Sequence, residues 1–330
     1  MKVSTIVSLL LSVSAVNAYS SLTQQQAQTA TNQLWDRIRG PGECLFSKIL
    51  QNAPSQNLAA LWLRATFHDA GEYVAATGAG GLDGSLTLAS ELSNAANAGI
   101  APSLATVFVP ADAPITKADV IALGGIITVA TCGGPKIAFQ TGRQDATAPN
   151  NINLLPSDPF QSVDAAAAAF ARMGLSKLDM LVLTTGSHTL GGAHAAISPL
   201  LTSKTFAPFD KTPGVFDNDI FKQTLAGNCL VPLDCKMAAD ATLRPYVQQY
   251  ANDQNAFFAQ YSISFAKLLA LTGSKLSAPV GVNITVHTNL VQEGTFPTPV
   301  PSPPAPAAPP KSTAKSTAPP PAAPKTSSRK

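Results

Sequence analysis

Arg64 and His68 stand four residues apart in Leu61-Trp62-Leu63-Arg64-Ala65-Thr66-Phe67-His68-Asp69, where apolar residues recur at helical spacing and no Gly or Pro intervenes. On a helix the two share one face with their side chains close together, while Asp69 points elsewhere. A permanent cation beside an imidazole disfavours its charged form. Such a pair suits a site that takes up a proton and stabilises developing negative charge. Alone, the pair is more often a solvated Arg and a satisfied His on a surface helix, so the rest of the chain decides.

Four histidines are present, His68, His188, His194 and His287. His188 closes an apolar helical run over 176–188, and a lone His there is more often a core residue than a ligand. His194 lies six residues further on, a poor spacing for two ligands on one helical face, which argues against a zinc pair. The Gly-rich stretch 71–84 has neither the dinucleotide fingerprint nor a P-loop Lys, and there is no Gly-x-Ser-x-Gly nucleophile elbow.

The elements that must position these residues read as helices over 24–39, 45–50, 58–70, 117–132, 163–173, 176–188 and 257–271. Strand-like alternation is scarce and no internal repeat is visible, so the body is expected to be mainly α. Both ends of the 330-residue chain read as separable from that body. Lys2, the apolar run 6–13 and Val16-Asn17-Ala18 form a secretory leader pattern with cleavage expected after Ala18, too short to span a membrane. Residues 297–330 are almost entirely Pro, Ala, Ser, Thr and Lys, and cannot bury a core. The folded domain is therefore expected over 19–296. Taking the five cations of the tail (Lys311, Lys315, Lys325, Arg329, Lys330) and Lys2 from the 22 basic residues leaves 16 against 19 acids. The net charge of +3 thus comes from the tail, and nothing points to nucleic acid. The tail reads as a disordered extension, an O-glycosylated stalk or an adhesive for an anionic wall polymer. Secretion makes the four cysteines disulfide candidates with three possible connectivities; Cys44–Cys132 and Cys229–Cys235 are favoured because the second pair closes a short loop. Asn283-Ile284-Thr285 is an N-glycosylation sequon.

Arg64-Ala65-Thr66-Phe67-His68-Asp69 resembles the distal signature of plant-type haem peroxidases, and Thr185-Gly186-Ser187-His188-Thr189-Leu190-Gly191 resembles their proximal signature. Glu91 and Asn97 match the pair that supports the distal His, 209–217 is similar to the proximal calcium loop, and Asp234 stands at the spacing of the proximal Asp. The five motifs run in the family's order over roughly 24–273. The resemblance implies one haem b between two helical halves, about 19–160 and 161–296, with His188 as axial iron ligand. Asp234 would accept the other ring N–H of His188 and give the imidazole imidazolate character, with Phe209 beside it. His68 would move the proton of hydrogen peroxide, Arg64 would stabilise the charge that develops, Asn97 held by Glu91 would orient His68, and Phe67 would pack over the haem. Two calcium ions are implied: a distal one on Asp69, the Gly81 carbonyl, Asp83 and Ser85, and a proximal one on Thr189, Asp210, Thr212, the Val215 carbonyl and Asp217.

Phe209 stands where the intracellular cytochrome c and ascorbate peroxidases carry Trp. With the leader and the calcium sets, this is similar to the secreted fungal group, class II. Leu183 replaces the surface Trp of lignin peroxidases, and Asn57, Leu61 and His194 replace the manganese-binding carboxylates of manganese peroxidases. The expectation is an extracellular or wall-associated monomer that oxidises small phenolic or aromatic donors at the haem edge, with Pro156 near the access channel. Two departures are the two disulfides at most, against the group's usual four, and the stretches 133–136 and 244–245, which are closer to ascorbate peroxidases. The alternative reading uses ascorbate; Phe209, and Ile197 in place of that group's substrate-binding Arg, disfavour it. A third reading, a wall protein with vestigial catalysis, is opposed by the intact set Arg64, His68, Asn97, His188 and Asp234.

Overall fold

Asn57 starts the helix on which Arg64 and His68 sit: its side-chain oxygen accepts the Ala60 N–H at 3.1 Å, satisfying one of the free donors of the first turn. In this computed structural model, which describes residues 22–38, 44, 57–104 and 115–282, that helix is α2 (Leu58–Ala70), preceded by α1 (Gln24–Ile38). The single turns α3 (Ala89–Leu92) and α4 (Ala101–Leu104) follow, then α5 (Lys117–Thr131), α6 (Val163–Arg172) and α7 (Lys177–Thr184). The chain continues with α8 (Asp219–Leu225), α9 (Pro232–Ala239), α10 (Arg244–Asn252) and α11 (Gln254–Leu269). Among the described residues the only sheet pairs β1 (Gly192–Ala193) with β2 (Ala207–Pro208), antiparallel, Gly192 opposite Pro208. The fold is thus mainly α, as expected. The expected helix over 45–50, the leader, the Asn283 sequon and the 297–330 tail lie outside the described residues.

α5 is apolar on every side and is accordingly buried on nearly every side. It forms the central post of the distal half. α2 lies directly on it, because Gly124 and Gly125 leave no side chain between the two helices. A Cβ on Gly124 would overlap the Trp62 ring, and one on Gly125 would come within 2.6 Å of Thr66 Oγ1. The Thr66 hydroxyl lies 2.9 Å from the Trp62 carbonyl and 3.2 Å from the Ile121 carbonyl, linking the two helices. At the start of α5, fully buried Arg143 pairs with Asp119 at 2.8 Å and donates to the Leu269 carbonyl at the end of α11. That charge is kept inside only because carboxylate and carbonyl oxygens surround it.

The proximal half is built on α7 and α11. Ser176 and Asp179 form a reciprocal capping box at the start of α7, and Asp179 also accepts from Ser264 at 2.7 Å and Lys267 at 3.0 Å on α11. Phe216, Phe221, Phe257 and Tyr261 make an aromatic cluster beneath them, with Phe216 edge-on to Tyr261 at 4.7 Å. The helix expected over 176–188 stops at Thr184 and continues as a 3-10 turn, Ser187–Thr189. Gly186 lies so close to the Phe257 ring that a Cβ there would clash with it, and the Gly186 N–H reaches back to the Leu181 carbonyl at 3.4 Å. α11 begins earlier than expected because the Asp253 carboxylate caps it, accepting from Ala256 N at 3.0 Å. The favoured cysteine pairing is the one formed, Cys44–Cys132 and Cys229–Cys235.

Replacing Gly124 with Val is expected to lower stability by about 1–3 kcal/mol, since the added methyls must displace the Trp62 ring. Thermal melting of the variant checks this; an unchanged midpoint would mean that α2 and α5 are not in such close contact.

Candidate active site

His68 sits on the inner face of α2 and is 7 % exposed. Its Nδ1 lies 2.8 Å from Asn97 Oδ1; an amide oxygen can only accept, so Nδ1 carries the hydrogen and Nε2 is left as a bare acceptor. Asn97 is held by its amide nitrogen, 3.0 Å from the Glu91 carbonyl. Glu91 therefore supports the imidazole through its backbone, while its carboxylate accepts from Ser85 Oγ at 3.0 Å and from Asn150 N at 2.7 Å. Burial, and then the Arg64 cation, push the His68 imidazole down to about 3, against the opposing effect of its hydrogen bond to Asn97. Arg64 donates to the Ala98 carbonyl at 2.7 Å and the Ala96 carbonyl at 2.8 Å. Burial lowers it to about 10, which leaves it charged at neutral pH. Phe67 stacks on Phe170 at 5.9 Å.

His188, in the turn after α7, faces the same space from the opposite side. Its Nδ1 lies 2.8 Å from Asp234 Oδ2, and the other oxygen of this buried carboxylate accepts from Thr185 Oγ1 at 2.7 Å. Asp234 lies in the first turn of α9, where the helix dipole favours a negative charge. The Phe209 ring is 4.7 Å from the imidazole, and the neighbouring Ser187 hydroxyl is 2.8 Å from Tyr261 Oη. A cavity of about 490 Å³ lies between the two imidazoles, lined also by Arg64, Phe67, Phe209, Leu183, Leu233 and Phe170. Both rings have Nδ1 engaged and therefore Nε2 free, and the remaining walls are largely apolar. These residues fit a flat, apolar macrocycle with one imidazole as axial ligand and the other across from it.

The two calcium sets differ. The proximal residues converge: Thr189 Oγ1 lies 2.8 Å from Asp210 Oδ2, 3.4 Å from the Val215 carbonyl and 3.4 Å from Asp217 Oδ1, and Thr212 Oγ1 is 3.1 Å from Asp217 Oδ1. Burial, with repulsion from Asp217 and Asp219, raises the Asp210 carboxyl to about 6. Among the described residues no three His, Cys, Asp or Glu side chains are arranged as a metal site; this set has two carboxylates and otherwise hydroxyl and carbonyl oxygens. The distal residues Asp69, Asp83 and Ser85 gather at one loop corner, where their side-chain oxygens accept from backbone N–H groups and from the Asn150 amide, and Ser85 Oγ donates to Glu91.

Two residues of this region carry no sequence signal, while Thr185 belongs to the motif around His188 but its bond to Asp234 is not readable from it. Asn150 comes from a loop without periodicity. Glu72 is 1 % exposed with neither carboxylate oxygen hydrogen-bonded. Burial and then the charges of Glu91 and Asp83 raise it to about 8, so it holds its proton at neutral pH.

The sequence pattern of the family described as Peroxidase matches residues 45–253. "Probable L-ascorbate peroxidase 3, peroxisomal" of Oryza sativa subsp. japonica is 38% identical over 223 residues, 66% of this chain and 74% of the relative. "L-ascorbate peroxidase 3" of Arabidopsis thaliana is 35% identical over 244 residues, 72% and 82% of the two chains. "L-ascorbate peroxidase 1, cytosolic" of Oryza sativa subsp. japonica is 35% identical over 223 residues, 66% and 86% of the two chains. Relatives named as peroxisomal and cytosolic overturn the expectation of a secreted, wall-associated protein, and relatives named as ascorbate peroxidases correct the assignment to the secreted fungal group. No helix among the described residues is long and apolar enough to cross a membrane. With two imidazoles facing one apolar cavity and the family pattern spanning both, the chain belongs to the peroxidase family, in the plant-type haem peroxidase superfamily, and is a hydrogen-peroxide-dependent oxidoreductase.

Proposed function

We propose that the protein reduces hydrogen peroxide at a haem held by His188, with ascorbate as the reductant. The observation that carries the site assignment is the convergence of His68 and His188 on one cavity, each with Nδ1 engaged by a different kind of partner. When bound, the haem supplies the iron and the redox equivalents that join peroxide reduction to oxidation of the reductant. His188 would hold the iron through its unengaged Nε2; Asp234 accepts its Nδ1–H and, itself fixed by Thr185, would make the ring a stronger donor. His68 Nε2 takes the proton from one peroxide oxygen and returns it to the other, which leaves as water. Arg64, tied to the Ala96 and Ala98 carbonyls, keeps N–H groups for the negative charge on the departing oxygen. Asn97 fixes the His68 tautomer. Phe67 and Phe209 exclude water from the two faces.

The choice of ascorbate is supported by the names of the relatives. A second reading, a small phenolic donor, is favoured by the apolar residues that line the cavity toward its mouth, Pro156, Ile197, Pro199 and Leu200, the last 82% exposed. Comparing kcat/KM for ascorbate and guaiacol with the haem-loaded enzyme decides between them: a larger value for ascorbate is expected, and a larger one for guaiacol would establish the phenolic reading. We also propose that the proximal set holds one calcium ion, tying the 209–217 loop to the turn that bears His188. Excess chelator should then remove about 2.7 kcal/mol of stability if the ion was present at a hundred times its Kd, lowering the melting midpoint, and should alter the haem absorption spectrum. An unchanged spectrum would remove the ion from the site.

Because the neutral form of His68 is the base, the second-order rate with peroxide should hold as pH falls below 6.5 and decline only near pH 3. Arg64→Leu should move that limb upward but short of 6.5, since burial is the larger cause of the lowered value, and should cost roughly 10²-fold in the peroxide rate. Rate measurements against pH check both points; a limb at pH 6–7 in the unsubstituted enzyme would rule out a neutral, buried base.

A further inference from the structure

The loop corner expected to hold the distal cation already contains a donor. Asn150 Nδ2 lies 3.1 Å from Asp83 Oδ1, 3.1 Å from Asp83 Oδ2 and 2.9 Å from Ser85 Oγ. A carboxylate has nothing to donate, so only the nitrogen end of this amide can face it. Around that point the other oxygens are also engaged: Asp69 accepts from Gly84 N at 2.8 Å and Leu86 N at 3.0 Å, and Ser85 Oγ donates to Glu91 Oε1 at 3.0 Å. A calcium ion needs its ligand oxygens at about 2.3–2.6 Å. An amide N–H group aimed at the Asp83 and Ser85 oxygens engages two of the four expected ligands and, in that orientation, turns its positive end toward any cation there.

We infer that Asn150 takes the place of a distal cation and, through Glu91, positions His68. The backbone of Asn150 carries the second half of the argument. Its N–H donates to Glu91 Oε2 at 2.7 Å, the Glu91 carbonyl holds the Asn97 amide at 3.0 Å, and Asn97 holds His68 at 2.8 Å. One residue thus joins the Gly-rich loop, through its side chain, to the imidazole's support, through its backbone. An ion would make that joint depend on calcium concentration, whereas a covalently attached amide is always present. Among the described residues the proximal set has no such side-chain amide: its Asp210 and Asp217 oxygens accept from the Thr189 and Thr212 hydroxyls and from the Thr212 and Asp219 N–H groups of their own loop, so the two sets differ in how they are pinned. The inference goes beyond the proposed reductant and does not depend on it.

The test uses haem-loaded protein, wild type and Asn150→Asp, each equilibrated with calcium and analysed for bound metal by mass spectrometry. Asn150→Asp turns the donor into a third carboxylate and is expected to bind one calcium ion more than wild type. In chelator its rate with peroxide should fall about tenfold, with the KM of the reductant unchanged, and calcium should restore it. Equal calcium contents, or a rate loss that calcium does not reverse, would overturn the inference. Should Asn150→Asp fail to fold, wild type and Asp217→Ala decide alone. No calcium beyond the ion lost with Asp217 supports the inference, and an ion that survives Asp217→Ala overturns it.

Discussion

The absence of side chains at Gly124 and Gly125 decides how near α2 can come to α5, and nearly everything that matters in the distal half hangs on that distance. With Trp62 and Thr66 pressed on the central helix, the rotation of α2 is set, and so are the directions of its other faces. Arg64 and His68, four residues apart, must look into the cavity; Asp69, one step on, must look into the Gly-rich loop. A helix free to turn by a third of a revolution would carry the imidazole into the core and the carboxylate into the site. Close packing of this kind is stiff, since there is no slack volume for a helix to rotate into.

On that frame the two imidazoles are given opposite characters by one atom each. Both lose Nδ1 to a hydrogen bond of 2.8 Å, so both present Nε2 to the cavity. The distal partner is a neutral amide, and with Arg64 nearby the ring stays uncharged. The proximal partner is a buried carboxylate that accepts the Nδ1–H. Charge is thus arranged across the cavity, a guanidinium beside one imidazole and a carboxylate beside the other. Neither is free to relax, because Arg64 is tied to two loop carbonyls and Asp234 to Thr185 and the first turn of α9.

Much of this was legible in the residues. The bounds of α2, the pairing of the cysteines and the meeting of Arg64, His68, Asn97, His188 and Asp234 all follow from local spacing or from motifs in order. The short helices α8, α9 and α10 did not stand out, because seven to nine residues show too little periodicity, and α9 and α10 open on a proline turn. Asn150 and Glu72 were invisible for a different reason. Their importance lies in what surrounds them, and Asn150 meets Asp83 across 67 positions of chain. Glu91 was expected to hold Asn97, but with no atom specified; the contact is its backbone carbonyl, which leaves no mark on residue type. The subgroup and location readings failed where one substitution, Phe209 for Trp, and a short apolar leader were weighed above the bulk of the chain. Similarity spread over 223 residues is the heavier evidence.

The bond between Cys229 and Cys235 closes a loop only six residues long, and Asp234 lies inside it. A short ring removes little disorder from the unfolded chain compared with the 88-residue span of Cys44–Cys132. Its effect is local instead. It restricts the backbone next to the carboxylate that governs the His188 imidazole. The covalent staple thus helps to fix where the Asp234 carboxylate stands against the His188 imidazole, and opening it would loosen that one hydrogen bond before it loosened the fold.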